Sequence, residues 1–166
     1  YCGSAGIRAL NDFLAARGER ATVATGSIPT EYVVRYTVSG SPRVSIIIPF
    51  KDKVELLKNC LSSLLEKSSY PEYEVILVSN NSEENETRDY LESLNHPRIR
   101  CYTHDIPFNY SKINNWGAEQ TTGEYLLFLN NDTEIISSTW MEDMLGYDQR
   151  PEIGAGGAKL LFKDGT

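Results

Sequence analysis

The feature that most constrains this chain is a rhythm. After Arg43 a short apolar run gives way, four times over, to a stretch with helical spacing. "VSIIIP" (Val44 to Pro49) and "YEVILVS" (Tyr73 to Ser79) are rich in β-branched residues at both parities, as in strands buried on both faces. "RIRCYT" predicts a shorter third strand and "YLLFL" (Tyr125 to Leu129) a buried fourth. Between them lie helical stripes. Val54, Leu57, Leu61, Leu64 and Leu65 form one, opened by an Asp52/Glu55 capping box. Ser82 is expected to cap a second helix, with Glu83, Glu84 and Glu86 in its first turn and Leu91 and Leu94 facing inward. A third is expected from Ser111 to Thr121, closed by Gly123. Trp140, Met141, Met144 and Leu145 mark a fourth, and "IGAGGAKLLF" predicts a further strand bent at its glycines.

Such alternation predicts an α/β fold: a Rossmann-like, mostly parallel sheet with helices on both faces. Ligands of these sheets bind beyond the carboxyl ends of the strands, where strand order reverses. That rule selects four polar segments, namely Phe50 to Asp52, Ser79 to Ser82, Thr103 to Ser111 and Asn130 to Glu134. Residues 1–42 break the rhythm. "SAGIRALNDFLAARGE" predicts a helix on Ile7, Leu10 and Leu14, ended by Gly18. "ATVATG" and "EYVVRYTVSG" predict two short strands, with turns at Gly26, Pro29 and Gly40. We therefore expect a small N-terminal α/β appendage over 1–42 and the main domain over 43–166.

Composition removes several function classes. The chain has 166 residues, 40% hydrophobic and 23% charged, as in a globular domain with a real core. No apolar run reaches the roughly 18 residues of a membrane span. The start "YCGSAGIRAL" lacks the pattern of a signal peptide, and the chain is expected to begin inside a longer protein. A net charge of −7 argues against nucleic-acid binding. Cys2, Cys60 and Cys101 are far apart and suggest free thiols in a reducing cytoplasm. His96 and His104 stand alone, which disfavours zinc. No GxGxxG follows the first strand, and no GxxxxGK[ST] or GxSxG occurs.

The polar exit of the fourth strand offers different chemistry. Asp132 supplies a hard carboxylate oxygen, and Asn130 or Asn131 a neutral one. Mg²⁺ or Mn²⁺ is commonly held by one or two carboxylates, waters and substrate phosphates. The plain alternative is a turn closing its own hydrogen bonds. Lys51, Arg100 and Lys112 are the nearby cations, Lys112 just inside a helix start, where a phosphate would offset its unfavourable charge.

Taken in order, "VSIIIPFKD", "YEVILVSNNS", "PFNYSKINNWGAEQTTGEYLLFLNNDTEI", "TWMEDML" and "PEIGAGGAKLLFKDGT" resemble the family 2 glycosyltransferases. They are most similar to the bacterial, rhamnosyltransferase-like branch that builds cell-surface polysaccharides. The resemblance covers about Arg43 to Thr166 and reaches weakly into the appendage. It implies the nucleotide-binding half of a GT-A fold and an inverting transfer from a nucleoside diphosphate sugar, of UDP or dTDP type, to a glycan or lipid-linked glycan acceptor. It also implies Mn²⁺ or Mg²⁺, and a cytoplasmic setting, at the inner face of the membrane in the full-length protein. The family's aspartate-x-aspartate motif falls on Asn130-Asn131-Asp132, with asparagine first as is common in this branch, so Asp132 is the expected metal ligand and Asn130 its support. Pro49, Phe50 and Lys51 match the base- and ribose-lining segment, and Ser79 and Asn80 the base-reading one. An aspartate is usual at one or both of the latter positions, and this chain departs from that pattern. Lys112 and Asn115 match a polar stretch that lines the donor pocket.

In the family the acceptor hydroxyl attacks the anomeric carbon, the diphosphate leaves from the opposite face, and a carboxylate downstream of the metal motif takes the proton. No residue of this chain matches that carboxylate. The base is expected beyond Thr166, leaving a piece that binds donor without transferring sugar. Glu142 and Asp143 are expected on the solvated face of their helix. The rival function is a non-catalytic nucleotide-sugar-binding or interaction module of the same fold. A nucleotidyltransferase is disfavoured because "PFKDKVELL" has no glycine, and a response-regulator-like module because Asp52 lacks acidic neighbours at the first strand.

Overall fold

The structure is a computed structural model describing residues 2–28, 30–162 and 165. It contains α1 (Cys2–Ala16), β1 (Ala21–Thr25), β2 (Tyr32–Tyr36), β3 (Val44–Phe50), α2 (Val54–Lys67), β4 (Tyr73–Ser79), α3 (Asn85–Ser93), β5 (Ile99–Thr103), α4 (Tyr110–Glu119), β6 (Tyr125–Phe128) and α5 (Trp140–Asp148). Two compact units result: Ser41–Ser138, and Tyr1–Gly40 with Thr139–Thr166. No helix among the described residues is long and apolar enough to cross a membrane.

The unit Ser41–Ser138 is a parallel four-stranded sheet in the order β5-β4-β3-β6. β3 and β4 pair along their whole length, from Val44↔Tyr73 to Phe50↔Ser79. Every residue of the two is buried except Pro49, which is half-buried. Side chains of a strand alternate between faces, so both faces must be covered. On one face Ile47, Ile76 and Val78 pack with Ile113 of α4. Gly117 lets that helix approach, since a Cβ there would stand 2.7 Å from Ile47 Cγ2. The other parity holds Ile46, Ile48, Val75 and Leu77, each 0% exposed. α2 contributes Leu57, Leu61 and Leu64 to the core, as its stripe predicts, while Leu65 is only half-buried. The expected α/β sheet flanked by helices is thus present.

Several local expectations are corrected. β6 is not buried: it pairs with β3 alone among the described strands, and Leu126 and Phe128 are 47% and 49% exposed. A sheet edge has a neighbour on one side only, which an apolar run cannot reveal. No Asp52/Glu55 box caps α2. Its cap is Lys53, left-handed at φ 54°, with no side-chain bond. Asp52 is left-handed too (φ 49°) and turns its Oδ1 to the backbone N–H groups of Glu83 and Glu84, both at 2.9 Å. α3 accordingly starts later than expected. Glu84 is its cap rather than Ser82, Glu86 alone is acidic in its first turn, and Thr87 rather than Leu91 or Leu94 is its buried residue. Cys60 is buried and Cys101 exposed, both free. The Cys2 side chain lies outside what the structure describes.

In the other unit β1 and β2 form an antiparallel hairpin from Ala21↔Tyr36 to Thr25↔Tyr32. Gly18 leaves α1 at φ 69°, the left-handed position that ends a helix. Pro29 lies outside the described residues. In α5, Met141, Leu145 and Gly146 are buried. Asp143 is not simply solvated, because it pairs with Arg35 at 3.0 Å. The tail 153–162 forms no strand: its apolar residues Leu160 and Phe162 are 77% and 78% exposed, with no described strand to pair with.

Candidate donor-binding cleft

Strand order places the reversal at β3. The chain steps outward through β4 to β5, then returns to the far side of β3 as β6. At the carboxyl ends of these strands lies an open cleft of about 200 Å³, lined by Pro49, Phe50, Lys51, Asn80, Phe108, Tyr110, Ile113, Asn130 and Asn131. Six of the residues singled out in the sequence therefore meet here, from three separate segments. Phe108 and Tyr110 lie in the Thr103–Ser111 segment expected at this edge but, like Ile113, are not among the residues singled out there. Phe108 is 80% exposed despite its apolar ring, and its place between Pro107 and a helix cap was the available clue.

The loops behind the cleft are tied into one lattice. Asn80 N donates to Phe50 O at 2.9 Å, and His104 N to Ser79 O at 2.8 Å. The Asn80 side chain is 4% exposed, and its Nδ2 donates to His104 O at 2.8 Å and Ile106 O at 3.0 Å. Two carbonyl partners fix which way the amide points. Oδ1, with no partner among the described residues, is the end left for a ligand. An aspartate here would set a carboxylate against two carbonyl oxygens, a physical reason for the departure from the family pattern. Asn81 is left-handed (φ 55°) and reaches the same loop through Ile106 O at 2.8 Å. Ser79 does not line the cleft. Its Oγ donates to Ser82 Oγ at 2.8 Å, and Ser82 Oγ accepts from Asp52 N at 3.1 Å.

The exit of β6 combines both features weighed in the sequence. Thr133 N donates to Asn130 O at 3.2 Å, so the turn does close on itself. Tyr110 donates its hydroxyl to Asn130 Oδ1 at 3.3 Å, and the Cys60 thiol approaches Asn130 O at 3.7 Å. Asp132 is exposed, one residue beyond the cleft wall, and its carboxylate has no hydrogen bond or ion pair among the described residues. It lies near α2: burial first, and the Asp132 charge second, push the Cys60 thiol up to about 11. No group of three or more His, Cys, Asp or Glu side chains fit to hold a metal occurs among the described residues. One free carboxylate beside amide oxygens suits a hard cation that draws its other ligands from water and phosphate, and would not suit zinc.

Lys112 and Asn115 are exposed on α4 and do not line the cleft. The Lys112 N–H is taken up by the Asn109 cap at 3.0 Å. Arg100 lies at the opposite, amino edge of the sheet, paired with Glu74 at 2.6 Å. That leaves Lys51 as the cation in the cleft wall.

The sequence model described as Glycosyl transferase family 2 matches residues 45–165, most of the chain. The chain belongs to this family. Its family 2 sequence is 52% identical over 162 residues to the O-antigen biosynthesis protein RfbC of Myxococcus xanthus, covering 98% of the chain and 13% of that protein. It is 37% identical over 168 residues to the uncharacterized protein y4gI of Sinorhizobium fredii, covering 99% of the chain and 18% of that protein. The chain thus spans a small part of both curated relatives. Among solved structures, the mannosyltransferase PcManGT from Pyrobaculum calidifontis, in complex with GDP-Man and Mn²⁺, gives a TM-score of 0.60 at 20% identity. That match covers 90% of the family 2 chain and 42% of the other. S. aureus TarS gives 0.51 at 22% identity over 73% of the chain and 40% of its own. These two show a shared fold.

Proposed function

We propose that the cleft binds the nucleoside diphosphate part of a sugar donor, of UDP or dTDP type, for inverting transfer to a glycan or lipid-linked glycan acceptor in cell-surface polysaccharide synthesis. One observation carries this reading: Pro49–Lys51, Asn80 and Asn130–Asn131, matched separately to donor-binding motifs of the family, line a single cleft at the topological switch point. Similarity to an O-antigen biosynthesis protein supports the polysaccharide setting. The family match over 45–165 supports 43–166 as the nucleotide-sugar-binding part and 1–42 as an appendage.

Roles follow from position. Asn80 Oδ1 accepts an N–H from the base, and the ring of Phe108 offers it a stacking face. Lys51 draws the phosphates into the cleft. Asp132, supported by Asn130, would hold Mn²⁺ or Mg²⁺. A neighbouring relative of the same fold binds GDP-Man with Mn²⁺, which favours a divalent ion here. When bound, such an ion supplies charge stabilisation for the departing diphosphate. Lys112 and Asn115, exposed on α4 beside the cleft-lining Tyr110 and Ile113, are the residues of that helix left to meet the donor from outside the cleft wall. The nine residues lining the cleft include no carboxylate, so the acceptor proton goes to a carboxylate brought from outside it. The alternative, a binding module without transfer, uses the same cleft.

A thermal-shift panel of nucleoside diphosphates and their sugars, with and without Mn²⁺, tests the reading. Ligands that bind only the folded state raise Tm. A uridine or thymidine diphosphate should raise it most, and more with Mn²⁺. A panel without any shift would overturn the proposal.

A further inference from the structure

We propose that the amino edge of the sheet carries a second binding site, for a phosphoryl group. The strands are parallel, so this edge is separated from the donor cleft by the length of β3, about 20 Å for seven residues. It holds a depression of about 320 Å³ whose wall includes Arg43, Arg98, Arg100, Tyr73 and Glu74. Three arginines line it, and of these only Arg100 has a carboxylate partner among the described residues.

Among the described residues Glu74 makes no ion pair with the other two, and its oxygens take four hydrogen bonds elsewhere. They accept from Ser45 Oγ at 2.7 Å, Thr122 N at 2.7 Å, Thr122 Oγ1 at 3.0 Å and Arg100 Nη2 at 2.6 Å. Glu72, the second carboxylate on the wall, makes no ion pair among the described residues. Among the described residues the Arg43 side chain reaches only Thr122 Oγ1, at 3.5 Å. Arg98 lies on the Tyr73 ring, 4.5 Å from its centroid. Tyr73 is itself 4% exposed, and its buried hydroxyl has no hydrogen-bond partner among the described residues.

Among the described residues the site thus has the Arg98 fork without an acceptor, the Arg43 fork on a single hydroxyl, and the buried Tyr73 hydroxyl unpaired. Buried polar groups are rarely left unpaired, and each one costs stability. A tetrahedral oxyanion has the oxygens to meet several donors from different directions, and arginine forks match its geometry. A flat carboxylate would serve fewer of them. The ligand is therefore phosphoryl, either a soluble phosphate or a phospholipid headgroup.

Isothermal titration of inorganic phosphate at low ionic strength tests this on the wild-type chain. Saturable heat is expected, weakened on the order of tenfold or more in the double variant Arg43→Gln/Arg98→Gln and less in Arg98→Lys, which keeps the charge. Circular dichroism checks that the variants are folded. Cosedimentation with phosphatidylcholine vesicles, with and without phosphatidic acid, separates the sources. Capture by phosphatidic acid, competed by phosphate, assigns a headgroup; phosphate binding without vesicle capture assigns a soluble ligand. No phosphate heat in the wild type, or equal affinity in the folded double variant, overturns the site.

Discussion

Replacing Glu74 by glutamine should flatten the acid limb of stability. Burial alone would raise this carboxyl. Hydrogen bonds from Ser45 and Thr122, together with the Arg100 guanidinium, outweigh burial and hold it at about 2, against an ordinary 4.5. A carboxyl depressed on folding contributes stability above its unfolded pKa and loses it as pH falls through its folded one. The shift corresponds to about 3 kcal/mol at pH 7, falling to about 1 kcal/mol near pH 3. Glutamine keeps the shape and one acceptor oxygen but removes the charge. Glu74→Gln should therefore cost about 3 kcal/mol at neutral pH, and the gap to wild type should close progressively between about pH 5 and 2. Urea denaturation of both proteins, followed by circular dichroism at several pH values, measures the difference and cancels the titration of other carboxylates. A neutral-pH cost under about 1 kcal/mol, or a gap that does not narrow towards pH 3, would refute the reasoning.

Asp132→Ala should leave unliganded stability within about 0.5 kcal/mol, since the side chain is exposed and unpaired, yet remove Mn²⁺-dependent nucleotide binding. Unchanged calorimetric heats would count against its metal role. Asn80→Ala takes the side-chain donor from His104 O and leaves Ile106 O with Asn81 Nδ2 alone, and should cost about 1–3 kcal/mol in denaturant titrations. Asn80→Asp should do no better, because a carboxylate would face the same two carbonyls. Gly117→Ala puts a methyl group 2.7 Å from Ile47 Cγ2 and 3.2 Å from Val78 Cγ2. Overpacking of about 1–3 kcal/mol should exceed the helix-propensity gain of about 1 kcal/mol, and a rise in chemical stability would contradict that packing.

The strands and helices of the sheet unit were legible because burial leaves a periodic trace. β3 and β4 carry apolar residues at both parities and α2 carries a stripe, while α4 is marked by its flanking Pro107 and Gly123. The cleft was legible in part, since its segments follow strand ends. Less legible were the points where one residue serves a distant backbone. Asp52 reads as the first residue of a local cap, but its carboxylate holds the N–H groups of Glu83 and Glu84. Capping patterns are local, and this bond spans two βα units. The segment Thr103–Ser111 is legible as part of the edge, but the individual roles of Phe108, an exposed ring in its loop, and Tyr110, at the first position of α4, leave no periodic trace.

Sequence by itself determined the α/β alternation, the parallel sheet and the strand ends at which polar residues gather, since these follow from hydrophobic period and chain connectivity. Only the tertiary structure decided strand neighbours. It placed β6 at an exposed edge beside β3, carried Arg100 to the amino edge, and aimed the Asn80 amide at two carbonyls of another loop. Such pairings depend on which segments become adjacent after folding. Their energies come from hydrogen bonds and charges across long sequence separations, which no local pattern records.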